Sequence, residues 1–344
     1  MAFYRTQTDL TSIMRKLSLR KIYNAFLIFI SYQISKYLGW EVHWGDPISI
    51  AIEPTTSCNL RCPECPSGLR SFTRDTGMLS TSLFENVIQE LQGTLMNLTF
   101  YFQGEPYLNK NFLKMVKIAD EHKVFTSTST NAHYLNDQNA DATVKSGLDR
   151  LIVSLDGTTQ ETYEKYRIGG DIEKVLDGIR NIVAAKDRLK SKTPEVVIQF
   201  LVVRPNEHQI EEAKELAKEL KVDDIQFKTA QIYDYENGSP LIPTLDQYSR
   251  YQKTDDGKYQ FKGKWERHCW RLWNSAVITW DGNVVPCCFD KDAKYVLGTL
   301  KNDYIGFRKI WRNKSYVSFR KQLLKGREKI DICKNCTEGL SIYN

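Results

Sequence analysis

The sequence predicts an α/β protein: strand–helix repeats built on a parallel sheet, followed by a small cysteine-bearing tail of α+β type. Three observations predict it. From residue 48 to about residue 228, short β-rich runs alternate with longer stretches of helical period, and strands separated by helices pair in parallel through βαβ units. After Lys228 the alternation stops, and Ala230–Thr244, with Gly238, Pro240 and Pro243, reads as a linker. None of the eight cysteines lies between residues 66 and 268, a clustering unlike the disulfide frameworks of short secreted chains.

At 344 residues, 41% hydrophobic and 26% charged, the chain falls among globular proteins able to hold one large and one small domain. The expected division is a basic amphipathic segment over 1–45, the repeat domain over 46–235, a linker over 236–264 and the tail over 265–344. Residues 1–40 hold six Lys or Arg against Asp9 and so carry +5 of the net +6. The charge is therefore a property of this segment, which argues against a nucleic-acid groove over the main body. The apolar run Ala25 to Ile30 is far short of the roughly 20 residues that span a bilayer. Two readings of residues 10–40 stay open: a helix packed on the main domain, or an amphipathic helix on an anionic membrane surface with Trp40 and the tyrosines at the interface.

Six strands are expected at Ile48–Glu53, Asn97–Gln103, Val124–Thr128, Arg150–Leu155, Val196–Val203 and Asp224–Lys228. Helices are expected between them at Thr81–Leu91, Asn111–His122, Asn136–Lys145, Asp171–Lys186 and Glu207–Leu220. In such repeats the active site lies where strands end and loops begin. Immediately after the first strand stand Cys58, Cys62 and Cys65, a C-x3-C-x2-C triplet. A structural zinc site wants four protein ligands. A 4Fe–4S cluster held by three thiolates leaves one iron open to a small molecule.

On this triplet, at the end of the first of six βα repeats, the chain resembles the radical S-adenosylmethionine (radical SAM) family. The resemblance implies a partial (β/α)6 TIM-like barrel. It implies that the open iron binds the amino and carboxylate groups of S-adenosylmethionine, and that the reduced cluster cleaves it to a 5′-deoxyadenosyl radical that takes a hydrogen atom from substrate. Short motifs follow at successive strand ends. Gly104-Glu105 looks like the family's Gly-Glu motif for the methionyl amino group. Ser129-Thr130-Asn131 resembles its Thr-Asn-Gly element, with Ala132 where glycine is usual. Ser154-Leu155-Asp156-Gly157, with Arg167-Ile168-Gly169-Gly170 downstream, is similar to the Ser-x-Asp-Gly and Arg-Gly pair of the branch with extra clusters. That likeness assigns Arg167 to the S-adenosylmethionine carboxylate, a charge-assisted bond suited to a guanidinium.

The tail cysteines Cys269, Cys287, Cys288, Cys333 and Cys336 resemble a shortened ("twitch") relative of the SPASM domain, in the spacing of an amino-cyclitol dehydrogenase type. The resemblance makes Cys269, Cys287, Cys333 and Cys336 the ligands of one auxiliary 4Fe–4S cluster and leaves Cys288 spare. A four-cysteine zinc site is the competing reading. The five tryptophans Trp265, Trp270, Trp273, Trp280 and Trp311 are expected to pack around that cluster.

An auxiliary cluster beside the substrate would accept a second electron, giving a two-electron oxidation in which a base takes the proton. Glu53, Asp156, Gln199 and Lys228 are the substrate-side candidates. A small molecule such as a sugar, cyclitol or lipid head group is expected. The alternatives are a peptide-modifying maturase and an iron–sulfur or zinc protein that does not cleave S-adenosylmethionine. Flavodoxin or ferredoxin is the expected reductant, and the oxygen-sensitive cluster places the protein in the cytoplasm.

Overall fold

The structure, a computed structural model, describes residues 7–263, 265–301 and 305–336. The outer ends of the first and last expected domains lie outside these. The chain forms two compact units. Among the described residues the first comprises those up to 57, 72–128 and those from 265 on, and the second comprises 58–71 and 129–263.

The first unit begins with helices α1 (Gln7–Lys16) and α2 (Leu19–Leu38). Strands β1 (Ser49–Ile52), β2 (Asn97–Thr99) and the start of β3 (Phe125–Thr130) follow. β1 pairs in parallel with β2, and β2 with β3. The short helix α3 (Pro66–Leu69) belongs to the cysteine loop. Helices α4 (Thr81–Leu91) and α5 (Phe112–Glu121) cover the first strands. α4 starts where Ser80 accepts a hydrogen bond from the Leu83 amide, satisfying one orphan donor. It buries Phe84, Val87, Ile88 and Leu91, a helical stripe, with each large side chain worth roughly 1.5–3 kcal/mol of transfer free energy.

In the second unit β4 (Arg150–Ser154), β5 (Glu195–Val202) and β6 (Asp224–Thr229) form a parallel set. Their helices are α6 (Asp137–Lys145), the short α7 (Gln160–Glu164), α8 (Ile172–Arg188) and α9 (Ile210–Glu219). Successive residues of a strand face opposite sides. On β5, Phe200 and Val202 pack with Ile210 and Ala213 of α9, while Gln199 and Leu201 face the other way and are only half-buried.

The five expected helices are present within a few residues. Three expectations need correction. The second strand does not reach Gln103 but ends at Thr99: the Phe100 amide still donates to Ser127 O, but its carbonyl is taken by the Thr128 hydroxyl at 2.8 Å and pairing stops. The stretch read as linker holds an antiparallel hairpin, β7 (Tyr251–Lys253) and β8 (Tyr259–Phe261), closed through Asp256-Gly257, a turn signal the reading passed over. The tail, expected to stand apart from residue 265, supplies β9 (Ser275–Ile278), paired in parallel with β1 from Ser49↔Ser275 to Ile52↔Ile278. Strands β10 (Asn283–Val285) and β11 (Gly298–Thr299) continue beside it in antiparallel fashion. The tail helices are α10 (Trp270–Asn274), α11 (Phe307–Trp311), α12 (Lys314–Lys325) and α13 (Asp331–Lys334).

Candidate active site and auxiliary cluster site

The cysteine triplet lies in a loop shaped by its own backbone. The Cys65 amide donates to Cys62 O at 3.3 Å, and Leu69 N donates to Cys65 O at 2.8 Å as α3 begins. Arg70 Nη2 donates to Cys58 O at 3.0 Å. Cys62 is buried, and Cys58 and Cys65 are half-buried. Burial pushes the Cys62 thiol up, Arg167 pulls it down, and Cys65 and Asp156 push it up again.

Arg167 is fixed by Asp156. Its Nε donates to Asp156 Oδ2 at 2.5 Å, and its Nη1 stands 3.8 Å from Cys62 Sγ. The other Asp156 oxygen accepts from the Leu201 amide at 2.7 Å, so the carboxylate ties the end of β4 to β5. Asp156 is fully buried, and burial raises its carboxyl while Arg167 lowers it. These bonds commit its carboxylate to Arg167 and the Leu201 amide, contacts that its sequence reading as a substrate-side candidate did not include.

Glu53, the second carboxylate among the substrate-side candidates, is likewise engaged by protein partners. It is fully buried, and its two oxygens accept from Arg74 Nη1 at 2.8 Å and Nη2 at 2.6 Å, with the Trp280 amide at 3.1 Å. This is a fork-to-fork ion pair that knits β1 to the segments holding Arg74 and Trp280.

Gln199 and Lys228 stay on the half-buried face of the parallel set. Gln199 is in register with Ser154 on one side and Gln226 on the other, and Leu201 with Lys228. Ser129 Oγ lies 3.4 Å from Ser154 Oγ, so Ser129, Ser154, Gln199, Gln226 and Lys228 form a polar tract. Burial, and then Arg150, lower the Lys228 ammonium.

Asn131 Nδ2 donates to Asn59 Oδ1 at 2.8 Å and lies 3.9 Å from Cys58 Sγ, bringing the end of β3 to the cysteine loop. The Thr130 hydroxyl accepts from the Ala132 amide. Ala132 sits at φ +63°, the left-handed region, which explains the family's usual glycine at this position. His133, which the sequence reading missed, accepts the Asp171 amide at Nε2 (2.9 Å) and therefore donates from Nδ1 to Asn131 O (3.0 Å). It holds Asn131 in place. An Asn-x-His-like spacing carries no signal by itself, so only the fold reveals this role.

In the first unit, Gly104 has φ +75°, and a Cβ there would stand 2.2 Å from Thr55 O. The Glu105 amide donates to Ser57 O at 2.8 Å. The glycine is thus required by the backbone leading to the cysteines. The Glu105 side chain is almost fully buried and accepts from Tyr107 N at 3.3 Å.

Three of the tail thiols lie around one cation. Cys269 caps α10, Cys287 and Cys288 follow β10, Cys333 lies in α13, and Cys336 follows it. Arg327, 1% exposed, interacts with Cys269, Cys333 and Cys336. Burial, then Cys269, push the Cys333 thiol up to about 11 against the pull of Arg327. Cys287 is pushed well above the usual thiol range by burial and by Cys288, Cys336 and Cys333. Desolvated thiols that repel one another as thiolates fit a metal-bound state, in which the metal supplies the missing positive charge. Cys288 lies 3.9 Å from Arg271 Nη1. Among the described residues no three His, Cys, Asp or Glu side chains converge on one point as a single ion requires. Of the five tryptophans, Trp265 donates from Nε1 to Lys334 O beside Cys333 and Trp270 follows Cys269, whereas Trp273 and Trp311 are fully buried in the core against Tyr32 and His43 and Trp280 packs on Gly77.

A βα-repeat fold with a three-thiol loop after its first strand and a second thiol group in the tail defines an iron–sulfur enzyme of the S-adenosylmethionine-cleaving class. Residues 52–217 match the radical SAM superfamily, and residues 269–337 match the SPASM iron–sulfur cluster-binding domain. The chain belongs to the radical SAM superfamily and carries a SPASM-type tail; S-adenosylmethionine and 4Fe–4S clusters are its cofactors. Among curated proteins it is 24% identical over 292 residues to an S-adenosyl-L-methionine-dependent 2-deoxy-scyllo-inosamine dehydrogenase of Niallia circulans, covering 83% of this chain and 91% of that protein. It is 27% identical over 205 residues to a PqqA peptide cyclase of Gluconobacter oxydans, covering 58% and 55%. Among solved structures, BtrN in complex with AdoMet and 2-DOIA is similar at TM-score 0.53 and 23% identity, over 86% of this chain and 94% of that one. Streptococcus suis SuiB bound to S-adenosylmethionine is similar at TM-score 0.60 and 13% identity, over 87% and 79%. These likenesses show the fold, the α/β partial barrel of the radical SAM core.

Proposed function

We propose that this enzyme is an oxidoreductase that removes a hydrogen atom and then a further electron and proton from a small polar molecule: a sugar, cyclitol or lipid head group. The observation that carries the reading is the tail, where Cys269, Cys333 and Cys336 share the surroundings of Arg327 and Cys287 lies within electrostatic reach of Cys333 and Cys336. Four thiols are enough for one auxiliary cluster of the shortened, twitch kind, with Cys288 spare. When bound, the two clusters supply one-electron chemistry, the open one toward S-adenosylmethionine and the auxiliary one toward the oxidised substrate. The chain's own residues do the rest. Cys58, Cys62 and Cys65 hold the open cluster, with Arg167 set beside Cys62 by Asp156. Gly104, Glu105, Ser129, Thr130, Asn131 and Ser154 are assigned to S-adenosylmethionine. Gln199 and Lys228 lie on the polar tract, and a small hydroxylated substrate suits such a lining. The amino-cyclitol substrate in the name of the Niallia circulans relative supports that class. A peptide substrate is the second reading, favoured by the likeness to a peptide cyclase.

Flavodoxin or ferredoxin as reductant, a cytoplasmic location suited to eight free cysteines, and peripheral contact with a membrane complete the reading. Among the described residues no helix is long and apolar enough to cross a membrane.

The test is iron, sulfide and zinc on anaerobically reconstituted protein beside a Cys58→Ala, Cys62→Ala, Cys65→Ala variant, with 5′-deoxyadenosine assayed after dithionite. About eight irons falling to about four, with 5′-deoxyadenosine lost, is the expected result. Zinc in the tail, or only about four irons in the wild type with none of them lost in the triple variant, would overturn the oxidative mechanism. Failure to form 5′-deoxyadenosine at all would make the chain a metal-binding protein. Consumption of a peptide rather than an amino-cyclitol would favour the maturase reading.

A further inference from the structure

Helix α2 is built inside out. Its inward face is polar: Lys21, Asn24, Ser31, Tyr32 and Ser35 are buried there beside a single aliphatic residue, Ile28. Each polar group finds a partner. Asn24 Nδ2 donates to Asp46 O and its Oδ1 accepts from the Asp46 amide, both at 2.8 Å. Lys21 Nζ donates to Lys123 O at 2.5 Å. Ser35 Oγ donates to Val42 O at 2.9 Å, and the Tyr32 hydroxyl lies 2.8 Å from His268 Nδ1. The outward face is apolar. Leu19, Ile22, Tyr23, Phe26 and Tyr37 recur at intervals of three, four and eleven residues and are exposed, Leu19 at 86% and Phe26 at 57%. Trp40, 65% exposed, and Trp44 follow the helix. A helix packed on a domain in water shows the reverse pattern, and an apolar stripe along 20 residues, about 30 Å, marks an interaction surface.

The charge around the stripe says what covers it. Arg15, Arg20 and Lys36 are exposed, whereas Asp9, the only acid among residues 1–40, is buried. A second copy meeting this face across a two-fold axis would set these cations against their own copies, and residues 1–40 offer no exposed acid to answer them. An anionic bilayer answers both features: acyl chains take the apolar stripe, lipid phosphates take the cations, and the tryptophans and tyrosines sit at the boundary.

We infer that α2 lies flat on an anionic lipid surface, outward face down, and holds the enzyme there. This deepens the proposed function, since it brings the enzyme to lipid-linked substrates; the binding itself does not depend on that reading.

Anaerobically reconstituted full-length enzyme should sediment with phosphatidylcholine vesicles containing a third phosphatidylglycerol and not with pure phosphatidylcholine, and high salt should release it. Ile22→Asp with Phe26→Asp, both at exposed positions, should lower vesicle affinity at least tenfold while dithionite-driven 5′-deoxyadenosine formation in solution is kept. Arg15→Gln and Arg20→Gln should each cost about fivefold. Brominated lipid should quench tryptophan emission in the wild type and less in Trp40→Phe. Absence of binding to the anionic vesicles overturns the inference. So does wild-type self-association abolished by Ile22→Asp with Phe26→Asp without vesicle binding, which would assign the face to a second copy. Vesicle binding without any 5′-deoxyadenosine in the wild type would leave the inference standing and sink the proposed function instead.

Discussion

Asp156 grips Arg167 at 2.5 Å and aims its guanidinium at Cys62, 3.8 Å from Sγ. The motif at the end of β4 therefore acts on the cysteine loop through an arginine eleven residues downstream. Asp156→Asn keeps the side chain's shape and removes the charge that orients Arg167; Arg167→Lys keeps the charge and removes the fork. Both should raise KM for S-adenosylmethionine by roughly tenfold to a hundredfold, the worth of one or two charge-assisted hydrogen bonds. Iron content should hold near the wild-type level. If Asp156→Asn instead abolished substrate oxidation while 5′-deoxyadenosine formed at the normal rate, Asp156 would be the base after all.

Glu53 is a fold residue. Glu53→Gln leaves Arg74, with a side chain only 12% exposed, without its counter-charge. Breaking a buried pair from one side costs roughly 3–5 kcal/mol. Anaerobic denaturant titration should show that loss, and 5′-deoxyadenosine per folded molecule should be unchanged. A stable variant without turnover would return Glu53 to the catalytic candidates.

Gly104→Ala would meet Thr55 O at 2.2 Å in a left-handed backbone. The conformation alone costs roughly 1–2 kcal/mol in a residue with a Cβ, and the clash adds to it. A lowered unfolding temperature together with weakened S-adenosylmethionine binding is expected, because Glu105 N is tied to Ser57 O in the same contact.

His43 makes the fold acid-sensitive. Burial and then Arg320 push its imidazole down from 6.5 to about 3, and its Nε2 meets Trp273 O at 3.0 Å, where it must donate. Between those two values the unfolded chain binds a proton that the folded chain refuses. Stability is therefore intact above pH 6.5 and is lost as pH falls below it, by up to about 1.4 kcal/mol per pH unit. His43→Gln should flatten the slope of unfolding free energy between pH 7 and 5.5. An unchanged slope would mean that His43 is protonated in the native state.

Arg327 places a buried positive charge among the tail thiols, which favours the more negative, reduced state of whatever they hold. Arg327→Gln should lower the auxiliary reduction potential in an EPR-monitored titration and leave the Cys58–Cys65 site untouched.

Much of this was legible in the chain because it is local. The βα alternation, the cysteine spacings and the strand-end motifs lie within windows of a few residues, where periodicity and turn chemistry act directly. Glu53 and Asp156 were read as chemistry because a carboxylate at a strand end looks the same whether it meets a substrate or an arginine. Their partners, Arg74 and Arg167, are fixed by the course of loops that sequence pattern does not describe.

By itself, then, the sequence determined the class of fold, the three-thiol loop and the set of tail cysteines. The tertiary structure decided that β9 joins β1, that Arg327 stands among the tail thiols, that His133 holds Asn131, and that α2 turns its apolar side outward. The physical reason is range. Helical and strand periods are set by neighbours along the chain, whereas strand pairing, ion-pair choice and the side of a helix that is buried depend on groups tens to hundreds of residues away. Those groups meet only when the chain has closed on itself.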